Sequence, residues 1–536
     1  MSLGKRETDR EGGGFVTEES RSKQLFFQSL PLLIENTQRK GSRMVGIPVI
    51  LGGLLAILYL LYFLKQQWSR RHFPPGPFVF PIIGGLWRIR FGIKGDDKTL
   101  IKIGDEYGDI YTLWAGGIPM VFMNGFEAVK DGLTLDELSE RLQSPFIKVL
   151  SKEKGIGFSN GHVWKQQRRI AQAAMRKLGV GKKSVESQIE AEVEQLIEVF
   201  SREKGQPFDP ALPVTNLVCN VICALSFGHR FSLEDGNFKE LIDAIEYIFK
   251  VGGTPFHILY ELLPSLMDRL PGPHKKALHA TEMVVSLAHE EIQRHKEQQS
   301  THEPQDFIDF YLLEMEKEKM KHDPNSTYDE ENLAQSIHDF FIGGTETSAT
   351  TMKWAFILLA NRREVQDKII KEIEDVLGSA SICYEDIRRL PFTNAVLHEI
   401  QRYRYSMLMG VGRQTTKDLK IRGYIIPKGT FVMPNLRSAL LDPKHWKTPD
   451  EFNPNHFLDK DGHFVPRDEF LAFGAGTRSC LGKDLARMEL FLVVTSLLRE
   501  FRFQPPPGIQ TLDEEPSMGL TLPPKHYKLC ALPRYN

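Results

Sequence analysis

Cysteine is scarce in this chain. Five of 536 residues are cysteine, and no pair has the spacing of a zinc site or a disulfide framework. Cys219 and Cys223 stand four apart in an apolar helical run, while Cys383 and Cys530 are isolated. That excludes a disulfide-stapled secreted domain and points to a reducing compartment. Net charge is equally slight, −1 from 68 basic and 69 acidic residues, so nothing argues for a nucleic-acid partner. Internal repeats are missing as well. With 41% hydrophobic and 26% charged residues, the composition is that of a globular chain.

Residues 1–43 are mostly polar and charged, with one apolar patch over 25–34 that Pro31 interrupts. Glu18, Glu19 and Glu35 lie among the basic residues, unlike an acid-poor mitochondrial presequence. The segment remains open between a flexible tail with a weak interfacial helix, a targeting segment and an extension of the reading frame with no role. Residues 44–64 carry no charge and are mostly Leu, Ile, Val and Gly. This is the length that crosses a hydrocarbon core as a helix, and a buried core helix seldom goes so far without a polar face. The run is too long for a signal-peptide core and lacks a cleavage site after it. Charge does not orient it: Arg39, Lys40 and Arg43 precede it, Lys65, Arg70 and Arg71 follow.

Residues 65–85 read as a basic, then proline-rich hinge, with Phe73-Pro-Pro-Gly-Pro77, Pro81 and Gly84-Gly85 forming a stiff, extended connector. From 86 to 536 the chain reads as one large domain. A hairpin is expected over 110–121 with its turn at Gly116-Gly117. Helices are expected over 185–200, 335–359, 365–377 and 394–403. Short strands follow over 419–432 and near Phe501, Leu520 and Tyr527.

The chemistry centres on Phe473-Gly-Ala-Gly-Thr-Arg-Ser-Cys480-Leu-Gly482. One cysteine sits in a glycine-rich loop that runs into a helical pattern carried by Leu481, Leu485, Met488 and Leu492. Gly474, Gly476 and Gly482 allow backbone close to a flat object and leave amide N–H groups open around the sulfur, as a thiolate ligand needs. Arg478 can face an anionic group. The competing reading is a structural cysteine in a turn. The stretch resembles the haem-thiolate signature of the cytochromes P450, Phe-x-x-Gly-x-Arg-x-Cys-x-Gly, at each specified position. The resemblance implies a mainly α fold, an α-rich prism with small β-sheets behind an N-terminal transmembrane helix. Residues 86–536 would be the haem-thiolate catalytic domain, with haem b as cofactor and the Cys480 thiolate as ligand of its iron.

Three further constellations fit that resemblance. Trp164 and Arg168, four apart, share a helix face and resemble the pair that hydrogen-bonds a haem propionate, with Arg413 and Arg478 as further donors. In Gly343-Gly344-Thr345-Glu346-Thr347-Ser348, two adjacent glycines weaken a helix by roughly 0.5–1 kcal/mol each relative to alanine. That suggests a bend that frees a backbone carbonyl. The segment resembles the family's oxygen-activation motif, which assigns Thr347 to a water chain delivering protons and Glu346 to relaying them. Glu399 and Arg402, i and i+3 on a helix, resemble the family's structural pair, completed here by His456 from the loop Phe452-Asn-Pro-Asn-His-Phe457.

Gly423-Tyr-Ile-Ile-Pro427-Lys-Gly-Thr430, Cys219-Asn-Val-Ile-Cys223, Phe227-Gly228 and His456 are most similar to animal microsomal family-2 enzymes. That likeness implies a monooxygenase inserting one oxygen atom of O2 into an apolar substrate. Electrons would come from NADPH through the flavins of NADPH-cytochrome P450 reductase, with cytochrome b5 as an accessory donor. It also implies a single-pass endoplasmic reticulum protein with a cytosolic catalytic domain, where the sequon at Asn325 would go unused; mitochondrial targeting by residues 1–43 stays open. Lys165, Arg169, Lys483 and Arg487 are the candidate cations toward the reductase. Substrate contacts are expected around 135–158, 240–258, 336–344, 405–409 and 518–521. There Phe146, Phe249, Phe256, Phe340, Phe341, Leu408, Met409, Met518 and Leu520 would make a deformable apolar pocket, against the plainer reading of core packing. A fatty acid would need an anchor such as Arg141 or Lys148; a steroid or xenobiotic would need less. Two other classes compete: a haem-thiolate isomerase or dehydratase, whose relatives lose the acid–threonine arrangement, and a non-catalytic haem- or lipid-binding membrane protein.

Overall fold

The computed structural model describes residues 50–535 except 82, 90–97, 181–182 and 299–302; the expectations for 1–43 and for the first part of the anchor fall outside these. The chain divides into two units, 1–71 and 72–536. In the first, one helix covers Ile50–His72, 23 residues, or about 35 Å at the helical rise, long enough for a bilayer core. Leu51, Leu55 and Leu58 are all more than half exposed. The helix passes Leu64, where the apolar run stops, because Lys65, Gln66 and Gln67 are good helix formers. Its end comes at Phe73-Pro74, where proline disfavours helical geometry in the residue before it.

In the second unit the proline-rich stretch is not a free connector. Thr112 N donates to Pro75 O at 2.8 Å and Gly85 N to Trp114 O at 2.7 Å, and the Phe73 ring meets Trp114 edge-on at 5.5 Å. A Cβ on Gly76 would lie 1.9 Å from Thr112 O, so only glycine permits this approach.

The strand that receives it, β1 (Ile110–Ala115), forms the expected hairpin with β2 (Ile118–Met123), turning at Gly116 with φ +58°. Short strands β3 (Glu140–Arg141), β4 (Arg413–Gln414) and β7 (Phe431–Pro434) complete a sheet of order β1-β2-β7-β4-β3. Only the β2–β7 pairing is parallel. The expected strand region at 419–432 holds three pieces, β5 (Leu419–Ile421), β6 (Tyr424–Ile426) and β7. Near the C-terminus β8 (Phe501–Gln504) pairs with β9 (Cys530–Pro533). Tyr527 lies before β9 and anchors by its hydroxyl to Lys353 O at 2.9 Å.

Helices fill the rest, and seven carry or support the site: α1 (Phe126–Thr134), α2 (Gly161–Leu178), α3 (Ala211–Phe227), α4 (Gly236–Val251), α5 (Glu330–Asn361), α6 (Pro391–Tyr403) and α7 (Lys483–Glu500). The long α5 is buried along most of its length and on most sides, with polar residues such as Gln335, His338 and Glu346 among the buried ones; Ile337, Phe341, Ala349 and Phe356 are fully buried. It starts at Asp329, whose carboxylate accepts from Asn332 N, an N-cap of the usual kind. All four helices expected from periodicity are present, each extended by two to five residues at its start.

Candidate active site

The cysteine loop closes on itself through Cys480 N to Phe473 O at 2.9 Å. Gly474 and Gly476 take left-handed backbone, φ +68° and +70°, which glycine alone adopts without cost. Their roles differ from the common one expected. A Cβ on Gly476 would lie 2.1 Å from Leu133 O at the end of α1, so that glycine serves packing, whereas Gly474 and Gly482 have open space beside them. Cys480 keeps exposed surface, while protein atoms crowd its sulfur on the remaining sides. Burial pushes its thiol up; the Gly482 amide, Arg168 and Lys483 oppose that by favouring the thiolate.

Four arginines converge beside the loop. Arg141 on β3 lies directly across from Arg413 on β4. Arg168 comes from α2 and donates to Ser479 O at 2.7 Å. Arg478 donates to Ser139 O at 2.8 Å and Ser159 O at 2.7 Å, with its guanidinium 3.8 Å from the centre of the Trp164 ring. Burial first and the other arginines second pull Arg413 down to about 9 and Arg478 to about 8, and Arg141 well below its usual range. A guanidinium does not release its proton in proteins, so the four cations repel one another, with Asp339 near Arg141 and Glu140 near Arg478 as partial relief. The cluster also has donors to spare. Trp164 Nε1, Arg168 Nε, Arg413 Nε and Nη1, and Arg478 Nη1 are buried without a partner. Buried polar groups are normally satisfied, so these five nitrogens call for anionic acceptors. A group bearing two carboxylates, with a metal reachable by a thiolate, fits them.

Arg141 joins this cluster to α5, since its guanidinium lies in the field of both Asp339 and Cys480. Asp339 accepts from Ile156 N at 2.7 Å and Gly157 N at 2.8 Å, pinning the turn that leads into α2. The helix α5 continues through the paired glycines. Gly343 O takes the Thr347 hydroxyl at 2.7 Å. The two glycines divide their work: a Cβ on Gly344 would lie 2.6 Å from Ile222 Cδ1 of α3, while nothing comes within 4 Å of one on Gly343. Glu346 is buried, accepting at Oε1 from Thr350 Oγ1 at 3.0 Å and Thr521 Oγ1 at 3.3 Å.

Behind the loop, Glu399 and Arg402 are fully buried. Arg402 Nε and Nη2 donate to the two Glu399 oxygens, both at 2.7 Å. Nη1 serves Leu440 O and Pro449 O, and Nη2 serves Glu451 O. Asn453 N donates to Glu399 Oε1 at 2.7 Å. Thr448 N donates to His456 Nε2, so the His456 proton is on Nδ1, facing Glu399 at 3.2 Å.

The family model described as Cytochrome P450 matches residues 74–531. This chain belongs to the cytochrome P450 family. It is 37% identical over 486 residues to cytochrome P450 2J5 of Mus musculus, covering 90% of this chain and 96% of that one. Cytochrome P450 2C70 of Rattus norvegicus is 39% identical over 491 residues (90% and 99%), and cytochrome P450 2J2 of Homo sapiens 37% over 488 (90% and 96%). The chain is thus a P450 monooxygenase of the family-2 type with a mainly α fold.

A P450 carries haem, whose iron, when bound, supplies activation of dioxygen. In this one Trp164, Arg168, Arg413 and Arg478 would hold its carboxylates, through the donors left without a partner, and Cys480 would offer the thiolate. Arg141 was named from sequence only as a substrate anchor. Its guanidinium belongs to the cluster, held by Gly157 O and Val411 O; two arginines opposed on neighbouring strands are invisible without the register. Lys148, the other proposed anchor, is more than half exposed and pairs with Glu153 at 3.6 Å.

The candidate substrate contacts divide. Phe340 and Phe341 are buried, their rings against Phe307 at 4.7 Å and Phe227 at 5.4 Å. Phe146 lies between His257 and Tyr260, and Phe249 is in the core. These four are thus all packed among other side chains. Met409 packs on the small cluster around Leu100 and Tyr111. Phe256, Leu408, Met518 and Leu520 keep exposed surface. Of the candidate docking cations, Lys165, Arg169 and Lys483 are exposed. Arg487 is not: it is half-buried over the Phe473 ring at 5.2 Å, and burial lowers it.

Proposed function

We propose that this P450 inserts one oxygen atom of O2 into an apolar, lipid-like molecule at a haem ligated by Cys480, with electrons from NADPH through a diflavin reductase, on the endoplasmic reticulum membrane. What supports it most is the set of orphaned donors beside an accessible Cys480. Residues 44–64 serve as a single membrane anchor, 65–85 as the hinge and 86–536 as the catalytic domain. Thr347, hydroxyl to Gly343 O, holds the proton path on the open side of α5, and Glu346 feeds it. Because both Glu346 and Thr347 are retained, the monooxygenase reading is favoured over an isomerase or dehydratase. Arg141 and Lys148, the two anchors considered for a fatty-acid carboxylate, are both engaged elsewhere. A neutral steroid or xenobiotic is therefore favoured over a fatty acid.

Untargeted product analysis of membranes containing this protein, its reductase and NADPH tests the reading. Products one oxygen heavier than a neutral lipophile are expected, and only with NADPH present. Rearranged peroxides formed without reductase would establish the isomerase class instead.

Each electron must arrive singly, across the protein behind Cys480. Lys165 on α2 and Lys483 at the start of α7 are the exposed cations placed to meet an acidic partner, and complementary charge acts mainly on encounter. Lys165→Glu with Lys483→Glu should slow reductase-supported turnover about tenfold at low ionic strength and flatten its salt dependence. Oxidation driven by added peroxide should be retained. Equal loss of both reactions would mean that the haem site, not docking, was damaged.

A further inference from the structure

We infer that Thr521 is a positioning residue that ties the orientation of Glu346 to the substrate side of the pocket. The inference rests on the reading of Glu346 as a proton relay. Glu346 is 5% exposed, so its oxygens must find partners inside the protein. One is local, Thr350 on the next turn of α5; the other, Thr521, comes from 175 positions along the chain.

The loop that carries Thr521 is fixed on three sides. Leu408 N donates to Leu520 O at 3.1 Å and Leu522 N to Ser406 O at 2.8 Å, with Met407 and Thr521 paired between them. Trp354 Nε1 of α5 donates to Leu522 O at 2.8 Å. At the end of α4, a Cβ on Gly252 would lie 2.1 Å from Leu520 Cδ1, so Leu520 is seated against that glycine. Met518 and Leu520 nonetheless keep 37% and 38% of their surface exposed. A molecule pressing on them acts one and three residues from the hydroxyl that holds Glu346. At 3.3 Å that hydrogen bond is long for a hydroxyl donor, and a small loop displacement suffices to release it. Substrate contact would then change which partners Glu346 Oε1 keeps, leaving Thr350 in place.

Thr521→Val removes the hydroxyl at nearly constant shape, and Thr521→Ser retains it. In the resting full-length holoenzyme, the infrared carboxyl band of Glu346, assigned by difference against Glu346→Gln, should shift in Thr521→Val and stay put in Thr521→Ser. With reductase and two probes run in parallel, dodecanoic acid and progesterone, product per NADPH should fall three- to tenfold in Thr521→Val. It should recover in Thr521→Ser. In a Glu346→Gln background Thr521→Val should add nothing, since the two residues act through one contact. An unmoved band, or an equal further loss in that background, would show that Thr521 only shapes the pocket and would overturn the inference. Wild-type coupling in Glu346→Gln itself would overturn the relay reading as well, which separates the two failures.

Discussion

Cys480→Ser should retain at most weakly bound haem. A neutral hydroxyl oxygen is a poor replacement for an anionic thiolate as a ligand. Nothing else in the loop can stand in, because the flanking donors, the Gly482 amide, Arg168 and Lys483, are arranged to favour an anion at this position. Removing the sulfur leaves those groups facing a neutral atom, and their attraction for an anion is lost. The readouts are haem per chain and the spectrum of the reduced, carbon monoxide-treated protein. The wild type should give the red-shifted thiolate form and the variant should lose it. A variant with unchanged spectrum and haem content would remove Cys480 as ligand.

Arg402→Leu should prevent accumulation of the folded catalytic domain. All five N–H donors of Arg402 are used: two on Glu399 and three on the carbonyls of Leu440, Pro449 and Glu451. Deleting one member of a buried pair costs about 3–5 kcal/mol because the other charge is stranded, a large share of the roughly 5–15 kcal/mol that holds a domain together. Here the loss extends to three carbonyls that fix the segment before His456. Arg402→Lys should fail too, since three donors on a flexible stem cannot serve five acceptors in a plane. Thermal unfolding of purified protein, or its yield where none survives, decides the matter. A variant melting within a few degrees of wild type would show that the network is dispensable.

Much of the site was legible because it is written in short stretches. The cysteine loop, Trp164 with Arg168, and Glu399 with Arg402 each lie within one loop or one helix turn, and their spacing survives folding. His456 was readable only through resemblance, its partners being 57 positions away in Glu399. What sequence could not give is register. Arg141 joins Arg413 because β3 and β4 pair in one alignment of two residues, and a shift by one would turn it away. Phe340 and Phe341 were candidates for the pocket because the family resemblance puts a substrate-contact segment at 336–344. Helical rotation carries them toward Phe307 and Phe227, and leaves Gly343 on the open side. Glu346 in turn is held by Thr521, a contact that no local pattern announces.

The four arginines have a meaning for how the protein is made. They arrive on β3, α2, β4 and the cysteine loop, parts of the chain separated by up to 337 positions between Arg141 and Arg478. In the bare polypeptide these like charges frustrate the last step of folding: hydrophobic collapse draws the four elements together while their field drives them apart. A dianionic cofactor turns that opposition into attraction, so any affinity for the closed chain becomes folding free energy. Final closure is thereby slaved to cofactor supply.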